Sequence, residues 1–141
     1  MFARSVRITL AAVGVAVALG SASAVAAADT PAPTNAELQS TLDRFTDPGV
    51  PTADKQQLMV GGDRRTGNID KMNQGLANYG KIGFEVSGVQ AGGDTANASV
   101  AIVSPHGTIP GIPMTWEHTA AGWQLSEGTA CTILSMGKAP C

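Results

Sequence analysis

The residues best equipped for chemistry in this chain are two histidines, His106 and His118, two strand-borne glutamates, Glu85 and Glu117, and two cysteines, Cys131 and Cys141. An imidazole pair starts a metal site only when further ligands converge on it. His106 lies in the loop "SPHGTIPG", and His118 ends a strand beside Glu117, which alternation sends to the opposite face. Both histidines therefore read as hydrogen-bonding residues, and no metal is expected. Glu85 and Glu117 could act as acid and base only if burial or a close like charge raised one carboxyl's pKa. Their places on polar strand faces predict two solvated carboxylates instead. No G-x-S-x-G occurs, and no Ser or Thr nucleophile has a neighbouring His with an orienting acid. "GGDRRTGN" has the glycine spacing of a phosphate loop from Gly62 to Gly67, but Asn68 and Ile69 stand where Lys and Ser or Thr would grip phosphate and magnesium. It reads as a flexible interhelical loop with solvated arginines. "NAS" at Asn97 matches a glycosylation acceptor by letters and reads as chance within a strand. No catalytic residue, metal ligand or cofactor is assigned.

The elements that must position these groups follow from hydrophobic period. Thr34 and Glu37 form a capping-box signal, and Leu38, Leu42 and Phe45 follow at helical spacing until Pro48 and Gly49. Thr52 reads as the cap of a second helix, "ADKQQLMV", stopped by Gly61 and Gly62. A third helix is predicted from about Asn68, with Ile69, Met72, Leu76 and Tyr79 on one face, Gly75 weakening it and Gly80 ending it. The period then drops to two. Ile82, Phe84 and Val86 form one strand face, Ala96, Ala98, Val100 and Ile102 a second, and Ile112, Met114, Trp116 and His118 a third, with Pro113 suggesting an edge. Trp123 and Leu125 close a fourth strand and are expected at the core beside Trp116. Ser126 or Thr129 would cap a last helix, "ACTILSM", terminated by Gly137. Helices, then sequential strands with hairpin-sized links, then one helix predict an α+β fold: N-terminal helices on a four-stranded curved antiparallel sheet, with a short C-terminal helix.

Residues 1–28 read as a signal peptide: Arg4 and Arg7, then an uncharged apolar run, then "SASAVAAA". The run from Ile8 to Leu19 falls short of the roughly 20 residues a membrane span needs. A free exported protein, secreted or associated with the cell wall, is expected, with no membrane span. Residues 29–33 form a Pro-rich leader expected to be flexible, and 34–141 a single domain. Loss of Arg4 and Arg7 makes the net charge of -2 more negative. Arg64 and Arg65 are then an isolated basic pair, so nucleic acid is excluded as a partner. In an oxidising compartment Cys131 and Cys141 read as an intramolecular bridge pinning the last helix, worth roughly 2.5 to 3 kcal/mol by chain entropy. The alternative is two free thiols.

The stretches "PTNAELQSTLDRFTDPGVPTADKQQLMVGG" and "AGWQLSEGTACTIL", with an Ala-rich strand between them, resemble the low-molecular-weight secreted antigens of mycobacteria. The resemblance runs from Pro33 to Gly137. It implies an exported protein with a fold similar to the cystatin-like and nuclear-transport-factor-like group, recognition by host immunity in pathogenic relatives, and no established biochemical activity or catalytic residue. The leading expectation is a secreted, non-enzymatic protein acting through surface contacts with an unknown protein. A second is a carrier of a small apolar ligand in a cleft between sheet and helices, lined by Met72, Met114, Trp116 and Trp123, with Met59 nearby. A third is a small isomerase or dehydratase with His118 as base, which requires that His118 face a cavity and pair with an acid other than Glu117.

Overall fold

A computed structural model describes residues 30–141. The export segment read at 1–28 and its cleavage site lie outside the described residues. The elements are α1 (Asn35–Phe45), α2 (Thr52–Gln56), a 3-10 turn (Gly62–Arg65), α3 (Thr66–Tyr79), β1 (Gly83–Gly92), β2 (Thr95–Ser104), β3 (Gly107–Thr119), β4 (Gly122–Leu125) and α4 (Glu127–Met136). The strands form one antiparallel sheet in the order β1-β2-β3-β4, and α1 packs on it. This is the α+β arrangement the change of period predicts.

Alternation decides which face is covered. Phe84, Val86, Ala96, Ala98, Val100, Ile102, Met114, Trp116 and Leu125 are buried on one side, against Leu38, Leu42 and Phe45 of α1 and Ile69, Met72 and Leu76 of α3. Glu85, Ser87, Asn97 and Ser99 are exposed on the other. Irregular register between Ser87 and Gln90, and between Val100 and Ile102, interrupts both long ladders; such bulges bend strands and increase twist. Pro113 pairs with Ser99 on β2, while β4 accompanies β3 only from Trp116 to Thr119. The outer edge of β3 is thus strand-free at Pro113, where a missing N–H costs no ladder bond. Further along that edge, the Thr115 N–H donates to Thr129 Oγ1 at 2.9 Å.

Two of the three predicted caps are present. Thr34 and Glu37 make a reciprocal capping box on α1, and Ser126 Oγ accepts from the Thr129 N–H on α4. The Pro-rich leader touches the domain at two points: Pro33 is buried, and Thr30 Oγ1 donates to Asp94 Oδ1 at 2.6 Å.

Three local readings are corrected. The second helix stops at Gln56 rather than running to Val60, and Pro51 rather than Thr52 is its cap residue. Leu58–Val60 instead adds an extended segment beside β4: Leu125 N–H donates to Leu58 O and Val60 N–H to Leu125 O, each at 2.8 Å. An unpaired strand edge offers these groups partners that a helix end would leave to water. The loop "GGDRR" is a 3-10 turn folded onto α4, not a free linker. Its Gly62 lies so close to the Gln56 backbone that a Cβ there would collide with it. Finally, α3 begins at Thr66, two residues before the predicted Asn68.

Candidate ligand cleft

Between α3, α4 and the open end of the sheet lies a cleft of about 520 Å³. Met72, Gly75, Leu76 and Tyr79 supply one wall because residues three and four apart share a helix face. Ile133, Met136 and Gly137 of α4 supply the other, and Phe84 and Ile102 of the sheet supply the floor. Met72, Phe84, Ile102 and Ile133 are buried, so the base of the cleft is apolar. Its rim is unusual. Four large hydrophobic residues are exposed among the described residues, and three of them, Tyr79 (43%), Ile109 (53%) and Met136 (45%), line this one opening. His106 packs on Tyr79 with ring centroids 4.7 Å apart, outside the cleft lining.

The end of α4 sets the remaining wall. Gly137 ends α4 as the sequence predicts, with φ -82°, and Lys138 after it takes the left-handed position at φ 58°. The Ala139 N–H donates to Leu134 O and the Lys138 N–H to Ser135 O, the paired bonds of a Schellman motif, with buried Ala139 beneath. Gly137 also serves packing: a Cβ there would sit 3.2 Å from Met72 Cγ, so glycine lets the end of α4 approach α3. A lysine in the left-handed region costs about 1 kcal/mol relative to glycine. Cys131 and Cys141 are disulfide-bonded, with Cα atoms 5.5 Å apart. The tail between them is also tied to α3, where Asn68 Nδ2 donates to Ala139 O at 3.2 Å and to Pro140 O at 2.7 Å. Lys138 thus stands on fixed backbone at the cleft edge.

The residues read from sequence as lining one pocket do not converge. Met72 lines the cleft, whereas Met114 and Trp116 are fully enclosed in the core. Trp116 Nε1 donates to Thr41 Oγ1 at 2.8 Å. Met59 is buried beside β4. Trp123 shares the inward face with Leu125 but is only half-buried, near the start of β4. It lines a second, shallower groove with His118, Arg44 and Glu37. His118 meets Trp123 edge-on at 5.1 Å. The one carboxylate in that groove, Glu37, accepts from the Thr34 N–H at 2.7 Å in the capping box. The other candidates are equally separated. Glu85 pairs with Ala101 and Glu117 with Thr95, about 20 Å apart along β2. Among the described residues no group of three or more His, Cys, Asp or Glu could hold a metal ion.

Two polar clusters carried little signal in the sequence. Arg64 and Arg65 both bind Glu127 at the first turn of α4, Arg65 at 3.0 Å. The hydrogen bond from Arg65, with that from Arg64 and the charge of both, holds the Glu127 carboxyl below its ordinary range. The arginines read as solvated are therefore an ion-pair clamp, which brings the Gly62–Arg65 turn onto α4. Lys55 is fully buried, a place an isolated lysine rarely occupies. Its Nζ donates to Asn73 Oδ1, Asn73 donates to Thr52 Oγ1 at 3.3 Å, and Thr52 donates to Asp70. Burial pushes the Lys55 ammonium down to about 8, against the opposing pull of Asp47.

A two-layer α+β body with helices on one sheet face, an apolar cleft at its open end and no assembled catalytic cluster among the described residues defines the class of protein. The chain belongs to the family of the low molecular weight antigen MTB12, whose C-terminal-domain model matches residues 31–141. The match covers all of α1 to α4 and the disulfide. No curated protein matches the chain. Among the described residues, no helix is long and apolar enough to cross a membrane.

Proposed function

We propose that the domain is a non-enzymatic binding module of an exported antigen, and that its binding site is the cleft between α3, α4 and the sheet. One observation carries this reading: Tyr79, Ile109 and Met136 leave apolar surface in water at the mouth of a single concavity. Exposed apolar surface gathered in a concave site is the usual mark of ligand binding, and the volume of this cleft suits a small molecule. The buried apolar floor favours a hydrophobic ligand over a sugar or nucleotide, whose polar groups would lose water without gaining partners. Membership of an antigen family supports export, and the separation of Glu85 from Glu117, with His118 and Glu117 alternating on opposite strand faces, supports a non-enzymatic role.

The neutral dye 1-N-phenylnaphthylamine tests the reading. Gly75 faces the cleft with only the Gly137 carbonyl near its would-be Cβ, at 3.8 Å, so Gly75→Leu projects a side chain into the space. The dye is expected to bind the full chain saturably with enhanced fluorescence, and the Gly75→Leu variant at least ten-fold more weakly. Equal binding by both would place the dye elsewhere and overturn the reading.

A further inference from the structure

We propose that the ligand of this cleft is a single-chain amphiphile with an anionic head, and that Lys138 receives the head. The inference rests on the reading of the cleft as a binding site and adds the chemical class.

Charge inside the cleft is one-sided. Among its lining residues Lys138 is the only ionisable group of either charge besides the phenol of Tyr79, and there is no carboxylate. In a chain with more acidic than basic residues, an apolar trough bearing one cation and no acid is selective for a molecule with one negative end. The polar atoms at the end of α4 are already engaged. The carbonyls of Ile133, Leu134 and Ser135 accept from the N–H groups of Gly137, Ala139 and Lys138. The Lys138 ammonium is thus the cationic donor left at this wall, and it forms no salt bridge among the described residues.

Position strengthens the case. Lys138 is the only non-glycine at positive φ among the described residues, although glycine would occupy that backbone with less strain. Its backbone is fixed by the Schellman bonds, the two Asn68 contacts and the disulfide, so the flexible four-carbon stem swings from a fixed root beside Met136 and Gly137. A charge tethered this way adds directional selectivity to a floor that supplies only non-directional burial. An alkyl chain would lie on Met72, Phe84, Ile102 and Ile133, with its head at the α4 end. A free fatty acid and a longer lipid with an anionic head share this chemistry.

The test uses the full chain loaded with 1-N-phenylnaphthylamine and compares displacement by decanoate, 1-decanol and decyltrimethylammonium. Decanoate is expected to displace the dye at about ten-fold lower concentration than 1-decanol, as one charge-assisted hydrogen bond would give, with the cation weakest. Lys138→Gly should abolish the preference for decanoate, leave 1-decanol unchanged and raise the melting temperature by relieving the left-handed strain. Lost preference in a more stable protein cannot be blamed on unfolding. Lys138→Glu should shift the preference to the cation. If the three ligands compete equally, or the Lys138 variants keep the decanoate preference, the assignment of the head fails while the cleft reading stands. If the dye does not bind at all, or a polypeptide rather than an amphiphile is retained on protein purified from culture medium, the cleft reading fails first.

Discussion

The two sides of the molecule treat the same kind of residue in opposite ways. Where α1 meets the last strands, Trp116 is fully enclosed and its indole N–H is satisfied by Thr41, while Leu125 pairs across from it and Leu58–Val60 covers the edge of β4. Where α3 and α4 diverge over the other end of the sheet, Tyr79, Ile109 and Met136 stay partly in water. Both sides are apolar, but only one is closed. The closed side is sealed by α1, which packs on β1 and β4, whereas the open side is propped by a helix tail that a disulfide and Asn68 hold in place. Apolar surface is retained where it can be used, and stability is concentrated where it is not.

Truncating the closed side gives the largest expected effect. Trp116→Ala should destabilise the fold by about 3–5 kcal/mol in urea titrations, and Thr41→Val, which strands the indole N–H, by about 1–3 kcal/mol. Comparable losses from Ile109→Ser would erase the contrast between the sides. That exposed change is expected to cost no more than about 0.5 kcal/mol while weakening dye binding.

Removing the prop comes next. Replacing both cysteines by serine closes no loop and should cost about 2–3 kcal/mol. Dye binding should weaken beyond what the unfolded fraction explains, because the Lys138 wall loosens; unchanged binding would detach the disulfide from the cleft.

Lys55 sharpens the comparison through pH. Its folded pKa of about 8 lies below the unfolded value near 10.5, so the unfolded chain holds more protons between those values and stability rises with pH across that window. At full development the gain is on the order of 3 kcal/mol. The difference in stability between the natural chain and a Lys55→Met variant, measured by urea titration from pH 7 to 10.5, should shift in favour of the natural chain as pH rises. A pH-independent difference would mean the ammonium is not held by burial. Gly75→Ala should add up to about 1 kcal/mol, since α3 has room for the methyl group.

How much of this was readable in the chain itself varies with the range of the forces involved. The inward strand faces and the caps of the first and last helices are legible because Phe84 with Val86, Trp116 with His118 and Thr34 with Glu37 carry local, periodic signals. Leu58–Val60 was misread because "KQQLMV" carries a helical pattern, while its true partner, Leu125, lies far along the chain. Lys55 gave no warning, since a lysine is the residue least expected inside and its partner Asn73 belongs to another helix. The stop of α4 at Gly137 is legible as a glycine after an apolar helical run, but the left-handed residue that follows it is not, because a lysine carries no signal for that backbone. The cleft is the least legible feature: Met72, Met114, Trp116 and Trp123 are all large and apolar, and only the tertiary placement of the helices decides which of them face space.

The difference between the open and closed sides can be followed directly with methyl-labelled methionine. Met72 and Met136 report on the open side, and Met59 and Met114 on the closed side. On titration with decanoate, the Met72 and Met136 methyl resonances of the full chain should move and saturate together while those of Met59 and Met114 stay in place. Shifts at Met59 or Met114 with none at Met136, or no saturable shift at all, would contradict an open apolar cleft as the working part of this molecule.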